Sequence, residues 1–442
     1  MSGKLQKKAW FAYFSFLLLW FLVTYADTVG AFLANKIFAY EKDGSVYTCD
    51  FILYYNNGNL AWRALNDHIN IYDPVLQNEG LENLVGMKLD KIFYSQYPPY
   101  LFLLMMPLPF LPLKVVWALW EVFGLIGIVF SISLFVKCFD LSKFKKACLV
   151  VGSLASFPYW LCFRLAQVAL VLYPAFLGYW LCLQNKKWFQ AGLLGGFCLL
   201  KLQYAPLMFL VGVILGGLQF FAGFSLMGLI YLLGSIFILG WNNVAGYPEA
   251  LKFGEIGGQV TGVAPETQQN IRGQLVCLLH SDGPEIHKVV SVLWVLASLV
   301  LAYIWYKNRK AILEGNNRLF MYLGSITLLS LLITSPHTHK QDYVFVVLPA
   351  IWIMFGLIGQ AKQKSKKLVC IKFLIIGFPF LSWMFFLITA FMPAIIQPFF
   401  AWAAILIILL ACSKNELDIF QSDQSDQISS SSSGPSSSGS IS

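Results

Sequence analysis

The sequence contains very few charged residues. Asp, Glu, Lys and Arg make up only 12% of its 442 residues, whereas 58% are hydrophobic and the mean hydropathy is +0.67. A soluble globular domain carries about 25% charged residues, so this composition excludes one. The first apolar run, residues 10–33, exceeds the roughly 20 residues needed to cross a bilayer, and others follow. We therefore predict an all-α, polytopic integral membrane protein.

Motifs for soluble nucleotides and for metals are absent. The sequence has no phosphate-binding P-loop, no dinucleotide glycine fingerprint, no His-Glu-x-x-His motif and no Asp-x-Asp pair in a predicted outer loop. Its nine cysteines form no Cys-x-x-Cys pair. These absences argue against a cytoplasmic nucleotide site and against an obligatory divalent metal. We predict neither a metal nor a cofactor.

Basic residues exceed acidic ones by 31 to 22, which in a soluble protein would suggest a nucleic-acid partner. Here the basic residues fall in short clusters between apolar runs, as they do in the cytoplasmic loops of membrane proteins. Keeping these clusters on one side predicts about 12 transmembrane or re-entrant segments within residues 1–412. Both termini are then cytoplasmic, the protein lies in the cell (inner) membrane, and its partner is the lipid bilayer, not nucleic acid.

This topology predicts three outer segments. They are a first extracytoplasmic loop at 34–96, a second at 242–287 and a late outer turn at 335–343. The Ser-rich residues 413–442 are low in complexity and predict a disordered cytoplasmic tail. Cys49 and Cys277 are the two cysteines in the outer loops, and an oxidising compartment would allow them to form a disulfide.

Two apolar runs are interrupted in ways that suggest function. Pro107, Pro109 and Pro112 predict a bent or re-entrant segment, because proline removes backbone donors and kinks helices. Lys201 stands before Pro206, at a break between two apolar halves. An ionisable residue at membrane depth is tolerated where it lines a cavity, so Lys201 is a candidate functional residue.

The polar residues with chemical potential gather on the outer face. All five histidines fall in outer segments, as do Asp50, Gln167, Arg272 and the turn Tyr97-Pro98-Pro99. The predicted cytoplasmic loops are short, and their polar residues are mostly basic. The topology therefore predicts an extracytoplasmic functional site.

Asp50 stands among aromatic residues in the first outer loop. Beside Phe51, Tyr54 and Tyr55 its carboxylate is partly desolvated, which raises its pKa and its basicity toward a hydroxyl. This environment suits a general base. The alternative interpretation is structural, because Asp favours the N-cap position and the neighbouring aromatic residues have helical spacing.

An enzyme that works outside the cytoplasm without soluble nucleotides needs an activated donor in the bilayer, such as a sugar linked to a lipid phosphate. Cations and hydrogen-bond donors bind such a phosphate. The candidates are Arg272, Lys201, Arg164, His337, His339 and Lys340. The structural alternatives are that the Arg164 and Lys340 side chains reach lipid head groups, that Lys201 neutralises a helix break, and that the histidines are simply solvated.

Several short motifs recur here in a familiar order. They are Asp50-Phe51 with Tyr54-Tyr55, Asn70-Ile71-Tyr72-Asp73, Tyr97-Pro98-Pro99 followed by Pro107 to Pro112, Ala166-Gln167, Lys201 with Pro206, Asn270 with Gly273, and Ser335-Pro336-His337 with Asp342-Tyr343. Over about residues 1–360 the chain resembles glycosyltransferase family 87. The members of this family are polyprenyl-phosphate-mannose-dependent α-mannosyltransferase-like integral membrane proteins of bacteria.

The resemblance implies a C-type glycosyltransferase fold and transfer of a hexose from a polyprenyl-phosphate donor on the extracytoplasmic side. It implies that Asp50 is the general base on the acceptor hydroxyl and that His337 or His339 lies near the donor phosphate. The chain departs from the family pattern at two points. Asp342 precedes Tyr343 where family members often have histidine, and Ala166 precedes Gln167 where glycine is common.

We therefore predict an inverting hexosyltransferase, and mannose is the first candidate sugar. Its acceptor is a lipid or a glycan. Lys201 and Arg272 join the histidines at the donor phosphate, and the predicted substrate-binding residues are Tyr54, Tyr55, Tyr97, Gln167, Asn270 and Tyr343.

A transporter or flippase for a lipid-linked sugar is the alternative, since broken helices and charges at membrane depth fit that class too. A flippase needs polar lining on both faces, and the cytoplasmic side offers little. A third interpretation is a non-catalytic scaffold, but it does not explain why polar residues gather in the predicted outer segments.

Overall fold

The computed structural model describes residues 3–34, 49–89, 93–139, 141–257, 265–361, 365–391, 396–417 and 419. Within these residues every element is helical, which confirms the all-α prediction. In chain order the α-helices are α1 (Gly3–Leu33), α2 (Cys49–Asp67), α3 (Pro74–Val85), α4 (Pro99–Met105), α5 (Leu113–Phe135), α6 (Lys143–Leu154), α7 (Phe157–Leu165), α8 (Ala169–Gln184), α9 (Trp188–Phe197), α10 (Ala205–Leu239), α11 (Trp241–Ala245), α12 (Tyr247–Gly257), α13 (Ile271–Leu279), α14 (Pro284–Leu313), α15 (Asn317–Thr334), α16 (Val347–Ile351), α17 (Lys366–Phe391) and α18 (Pro398–Cys412). The shorter 3-10 and π-helical turns include Leu108–Phe110, Cys198–Lys201, Lys340–Val346 and Trp352–Leu357.

Seven helices among the described residues are long and apolar enough to cross a membrane, and eight if α6 and α7, which are bent by 57°, form one span. The seven are Lys8–Leu33, Leu113–Cys138, Ala205–Leu239, Pro284–Leu313, Asn317–Thr334, Lys340–Leu357 and Lys366–Ala390. Large apolar side chains cover their outward faces, and Phe123 and Phe237 are 67% and 79% exposed. Such surface is costly in water and favourable among lipid tails. The prediction of a polytopic membrane protein is confirmed, and the count of about 12 segments stays a prediction.

Both predicted interruptions are present. The proline-rich stretch forms the short helix α4, a 3-10 turn at Leu108–Phe110 and then a new helix, α5. The apolar run around Lys201 breaks as α9 ends at Phe197, a 3-10 turn covers Cys198–Lys201 and α10 begins at Ala205. The breaks bring polar backbone and side chains to the depth of the apolar spans, which requires an internal cavity to receive them.

Helix α10 itself is two helical segments joined at Gly217. Its φ of 55° and ψ of −137° lie outside the helical region and in a region that favours glycine. The second segment packs closely on α9, where a Cβ at Gly192 would overlap the Phe220 carbonyl oxygen.

The first predicted outer loop, 34–96, is a folded helical layer in its described part. Asp73 caps α3, accepting from the Val75 N–H at 2.8 Å, and Pro74 takes the first helical position. The buried Gln77 side chain ties Ile71 to Ser95, because its Nε2 donates to Ile71 O at 2.9 Å and its Oε1 accepts from Ser95 N–H at 2.7 Å. These bonds fix the extended segment that leads to Tyr97.

Two sequence predictions, the disulfide and the tail, involve residues that the structure describes only in part. Cys277 is a free cysteine, and its Sγ accepts from Gln397 Nε2 at 2.8 Å, so it does not form the disulfide that an oxidising compartment would allow. The side chain of Cys49 lies outside the described residues. Most of the predicted tail at 413–442 does so too.

Candidate active site

The helix breaks and the predicted outer segments meet around a cavity of about 620 Å³. Its polar lining comes from α2, the segment before α4, the α7–α8 turn, the break after α9, α12, α13, α14 and the late turn. The polar side chains include Asp50, Gln96, Tyr97, Gln167, Lys201, Gln203, Glu255, Arg272, His287, His337, His339, Gln341 and Asp342. Seven of the eleven predicted site residues, which lie far apart in the sequence, are thus brought together.

Asp50 lies in the first turn of α2, not at the N-cap position. Its Oδ2 accepts a hydrogen bond from Gln167 Nε2. Burial raises the pKa of Asp50 to about 6, although the Lys201 charge and the Gln167 hydrogen bond act in the opposite direction. A carboxylate with such a pKa is ionised at neutral pH and is more basic than an ordinary Asp, which suits a general base.

A left-handed turn holds Gln167 in place. The preceding Ala166 has a φ of 48° and a ψ of 50°, and the Gln167 N–H donates to Cys162 O at 2.9 Å to close α7. A left-handed conformation costs a non-glycine residue about 1 kcal/mol. The glycine that is common at this position in the resembled family would remove that cost. In this chain the alanine adopts the same turn under strain.

Lys201 and Asp342 form a buried ion pair at the cavity wall. Lys201 Nζ contacts Asp342 Oδ1, and the two residues are only 8% and 1% exposed. Asp342 Oδ2 also accepts from the His339 N–H at 2.9 Å, which fixes the start of the 3-10 turn Lys340–Val346. The lysine at the helix break is therefore neutralised by a side chain that the sequence reasoning had noted only as a departure from the family pattern.

A second charge cluster surrounds Arg272, which is 2% exposed. Its Nε and Nη2 donate to the two carboxylate oxygens of Asp282 at 3.1 and 2.8 Å, and its Nη1 donates to Glu255 Oε2. His287 Nε2 lies 3.4 Å from both Arg272 Nη2 and Asp282 Oδ1. Burial alone would raise the pKa of Glu255, but His337 and Arg272 outweigh it and hold that pKa well below its usual range. The Glu255 carboxylate is thus ionised, and each of its two oxygens contacts a neighbouring side chain.

The two histidines of the late turn differ in their surroundings. Their rings meet edge to face with centroids 4.7 Å apart. Burial, with a further contribution from His337, lowers the pKa of His339 to about 3, so this ring is neutral at physiological pH. His337 is 28% exposed in its side chain, and its Nδ1 lies 3.1 Å from Glu255 Oε1.

Four of the predicted substrate-binding residues do not line this cavity. The Tyr54 hydroxyl accepts from the Val168 N–H at 3.2 Å and bonds the Tyr97 hydroxyl at 3.0 Å, while the Tyr55 hydroxyl donates to Leu111 O at 3.0 Å. Asn270 caps α13 and donates to Ser335 O at 2.8 Å. The Tyr343 hydroxyl donates to Gln269 O at 2.9 Å. In this structure all four hydrogen-bond to other parts of the chain and do not face the cavity.

Two further cations considered from the sequence also lie away from the cavity lining. The Arg164 guanidinium carbon stands 5.6 Å from the Trp160 ring centroid, and Lys340 Nζ stands 5.7 Å from that of Phe386. Among the described residues no group of three or more His, Cys, Asp or Glu side chains has an arrangement that holds a metal ion.

Sequence reasoning missed Glu255, Asp282 and His287 as members of the site. They come from the second predicted outer loop, and no motif distinguishes them from other polar loop residues. Asp342 had a usable signal, because a carboxylate between a basic turn and an apolar span requires a cationic partner.

The model of glycosyltransferase family 87 matches residues 94–336, which is more than half of the chain. The chain belongs to glycosyltransferase family 87. No curated protein and no solved structure matches it.

The segment shared with glycosyltransferase family 87 includes Tyr97, Gln167, Lys201 and Arg272, and it ends immediately before His337. Asp50 lies outside it. Family 87 membership makes this protein a membrane glycosyltransferase, hence an enzyme with a sugar donor and an acceptor. It favours an enzyme over the transporter and scaffold interpretations.

Proposed function

We propose that this glycosyltransferase moves a hexose, most simply mannose, from a polyprenyl-phosphate donor to a lipid or glycan acceptor, with inversion at the anomeric carbon. The observation that supports this most is the placement of Asp50 in one cavity with Lys201, Arg272 and His337. A base and a set of phosphate-binding groups around one space of about 620 Å³ are what such a transfer needs.

In the proposed reaction Asp50 accepts the proton of the acceptor hydroxyl as its oxygen attacks the anomeric carbon. The new glycosidic C–O bond forms while the bond from that carbon to the phosphate oxygen breaks, and the electron pair leaves with the phosphate. The departing phosphate needs no proton near neutral pH. One base and a set of positive or hydrogen-bonding groups therefore suffice.

We further propose that the cavity opens on the extracytoplasmic face of the cell (inner) membrane and that both termini are cytoplasmic. The clustering of basic residues in the predicted inner loops supports this orientation. A donor delivered by a lipid suits a cavity at the end of membrane-spanning helices, and the C-type glycosyltransferase fold remains part of this proposal.

The direct test is sugar transfer by the purified protein in detergent. It is incubated with polyprenyl phosphates carrying different radiolabelled sugars and with a lipid extract of the host. We expect one of the donors to give labelled product, and to do so only when protein, donor and extract are all present. Failure to transfer from every polyprenyl-phosphate sugar offered would contradict the proposed donor class.

The activity is expected to decline in acid because Asp50 acts as a base. With a pKa of about 6, Asp50 is half ionised near that pH. Below it kcat/KM for the acceptor falls about tenfold per pH unit, and above it the rate levels off. Gln167→Leu removes a hydrogen bond that lowers this pKa, so the midpoint should move to higher pH. A midpoint near 4, or one that Gln167→Leu leaves in place, would contradict the assignment.

Arg272→Ala is expected to weaken donor binding, raising the apparent KM for the donor about tenfold, which corresponds to about 1.4 kcal/mol. The variant leaves Glu255 and Asp282 without their shared cation. The effect is measured by steady-state kinetics at varied donor concentration, at a temperature below the unfolding temperature of the variant. Arg63→Ala on the exposed face of α2 is the matched control. An unchanged donor KM in Arg272→Ala would remove Arg272 from the donor site.

A further inference from the structure

The charges that line the cavity do not favour a phosphate as they stand. Three carboxylates, Asp50, Glu255 and Asp342, face two cations, Lys201 and Arg272. Lys201 is paired with Asp342, and Arg272 is shared between Glu255 and Asp282, which lies behind it. An anionic ligand therefore needs a further hydrogen-bond donor besides these two paired cations.

Of the two late-turn histidines, His337 is the one with a carboxylate within 4 Å of a ring nitrogen. Its Nδ1 stands 3.1 Å from Glu255 Oε1, although the two atoms are not aligned for a hydrogen bond, and its Nε2 takes part in no hydrogen bond or ion pair within the described residues. His339 is neutral at physiological pH, since burial lowers its pKa to about 3. The ring of His337 thus has one side occupied by a carboxylate and the other side available.

Glu255 is itself held rigidly by groups from three other segments. Its Oε2 accepts from Arg272 Nη1, and its Oε1 accepts from Gln96 Nε2 at 2.9 Å and faces His337. Arg272 is fixed in turn by the two bonds to Asp282. Because each partner is anchored elsewhere, Glu255 cannot leave His337 without breaking bonds to Arg272 and Gln96.

We propose that Glu255 is the positioning residue for the donor phosphate: held by Arg272 and Gln96, its carboxylate stands beside Nδ1 of His337 and directs Nε2–H to a phosphate oxygen. This inference rests on the proposed function and selects His337 over His339. With a carboxylate beside Nδ1 and a phosphate oxygen on Nε2, the ring lies between two anions. Arg272 then also acts on the donor through Glu255.

The test measures binding of a polyprenyl monophosphate, the lipid that the reaction would release, to the detergent-solubilised full chain. We expect wild-type protein to bind it and Glu255→Gln to raise the Kd about tenfold, because the amide keeps the shape and loses the charge. Glu249→Gln replaces an exposed carboxylate on the same helix, α12, and should leave the Kd unchanged. Unfolding temperatures are recorded for every variant.

A double variant separates positioning from a general structural effect. If Glu255 acts through His337, then Glu255→Gln in a His337→Ala background should weaken binding no further than His337→Ala alone. If Glu255→Gln does not fold, Glu255→Asp replaces it. This variant keeps the negative charge toward Arg272 but shortens the side chain by about 1.5 Å, so that it no longer reaches the ring.

The outcomes are distinguishable. Unchanged affinity in a folded Glu255 variant, or full additivity in the double variant, would overturn the role of Glu255 while leaving the proposed function intact. A wild-type protein that does not bind polyprenyl monophosphate would overturn the proposed donor class, and this inference with it. Loss of affinity in Glu255→Gln, with Glu249→Gln unaffected and no additivity, supports the inference.

Discussion

Asp50→Asn is expected to reduce sugar transfer by about 10²- to 10⁴-fold while the protein still inserts into the membrane and folds. Asparagine keeps the size of the side chain and a contact with Gln167, but it cannot accept the proton of the attacking hydroxyl. Initial rates of transfer by purified protein measure the loss. Asp50 accepts the proton only in the transition state, so its loss should lower kcat and leave the donor KM little changed.

The stability of Asp50→Asn provides the internal control. The pKa of Asp50 is about 6 in the folded protein and 3.8 in its ordinary state, so the folded protein binds this proton more tightly than the unfolded chain. The resulting stabilisation is complete below the ordinary pKa and is lost as the pH rises through 6. At neutral pH the neutral asparagine should therefore be at least as stable as the charged aspartate. Normal turnover in Asp50→Asn would contradict the base assignment.

A matched substitution guards against nonspecific effects of mutating α2. Asp67 lies exposed at the other end of the same helix. Asp67→Asn should keep both the transfer rate and the unfolding temperature of the wild-type protein.

Lys201→Met is expected to lower the free energy of unfolding by about 3–5 kcal/mol, the cost of leaving one member of a buried ion pair without its partner. Asp342 is 1% exposed, and after the substitution its carboxylate would keep only the His339 backbone N–H. Thermal unfolding in detergent measures the effect. The transfer activity should fall as well, since the start of the late turn depends on Asp342.

A second substitution tests the cause. Replacing both partners, as in Lys201→Met with Asp342→Leu, removes the unpaired charge and should recover much of the lost stability. Lys187→Met, at an exposed position between α8 and α9, should cost little. A Lys201→Met protein as stable as wild type would show that the pair does not hold the helix break in place.

The sequence predicted the fold class and the breaks well because these follow from local physics. Composition and the length of apolar runs determine that the chain is helical and membrane-spanning, and proline determines where α4 ends and α5 begins. The Lys201 break was located to within a few residues, whereas the kink at Gly217 was not predicted. The joint placement of Asp50, Gln167 and His337 was predicted by putting every basic cluster on one side of the membrane, and Lys201 was singled out by its helix break. The orientation itself stays a prediction.

The rest of the site depends on contacts between distant segments, which a single sequence does not display. Glu255 pairs with Arg272, which lies 17 residues later in the chain, and with His337 of the late turn. No motif near Glu255 in the sequence distinguishes it from other acidic residues. Tyr54 was predicted to bind substrate because it is aromatic and near Asp50. In the structure its ring faces inward, and its hydroxyl joins Tyr97 to the start of α8. Whether a polar aromatic residue lines or supports a cavity is decided by packing.

Lys201 and Arg272 are neutralised by carboxylates before any lipid arrives. The fields of closely paired opposite charges cancel beyond a few ångströms, so a donor head group at the cavity mouth feels little attraction from either cation. Encounter with the proposed polyprenyl-phosphate donor would then be governed by its lateral diffusion in the bilayer and by the fit of its prenyl chain between helices. Selectivity would arise after arrival, when the head group competes for partners inside the cavity.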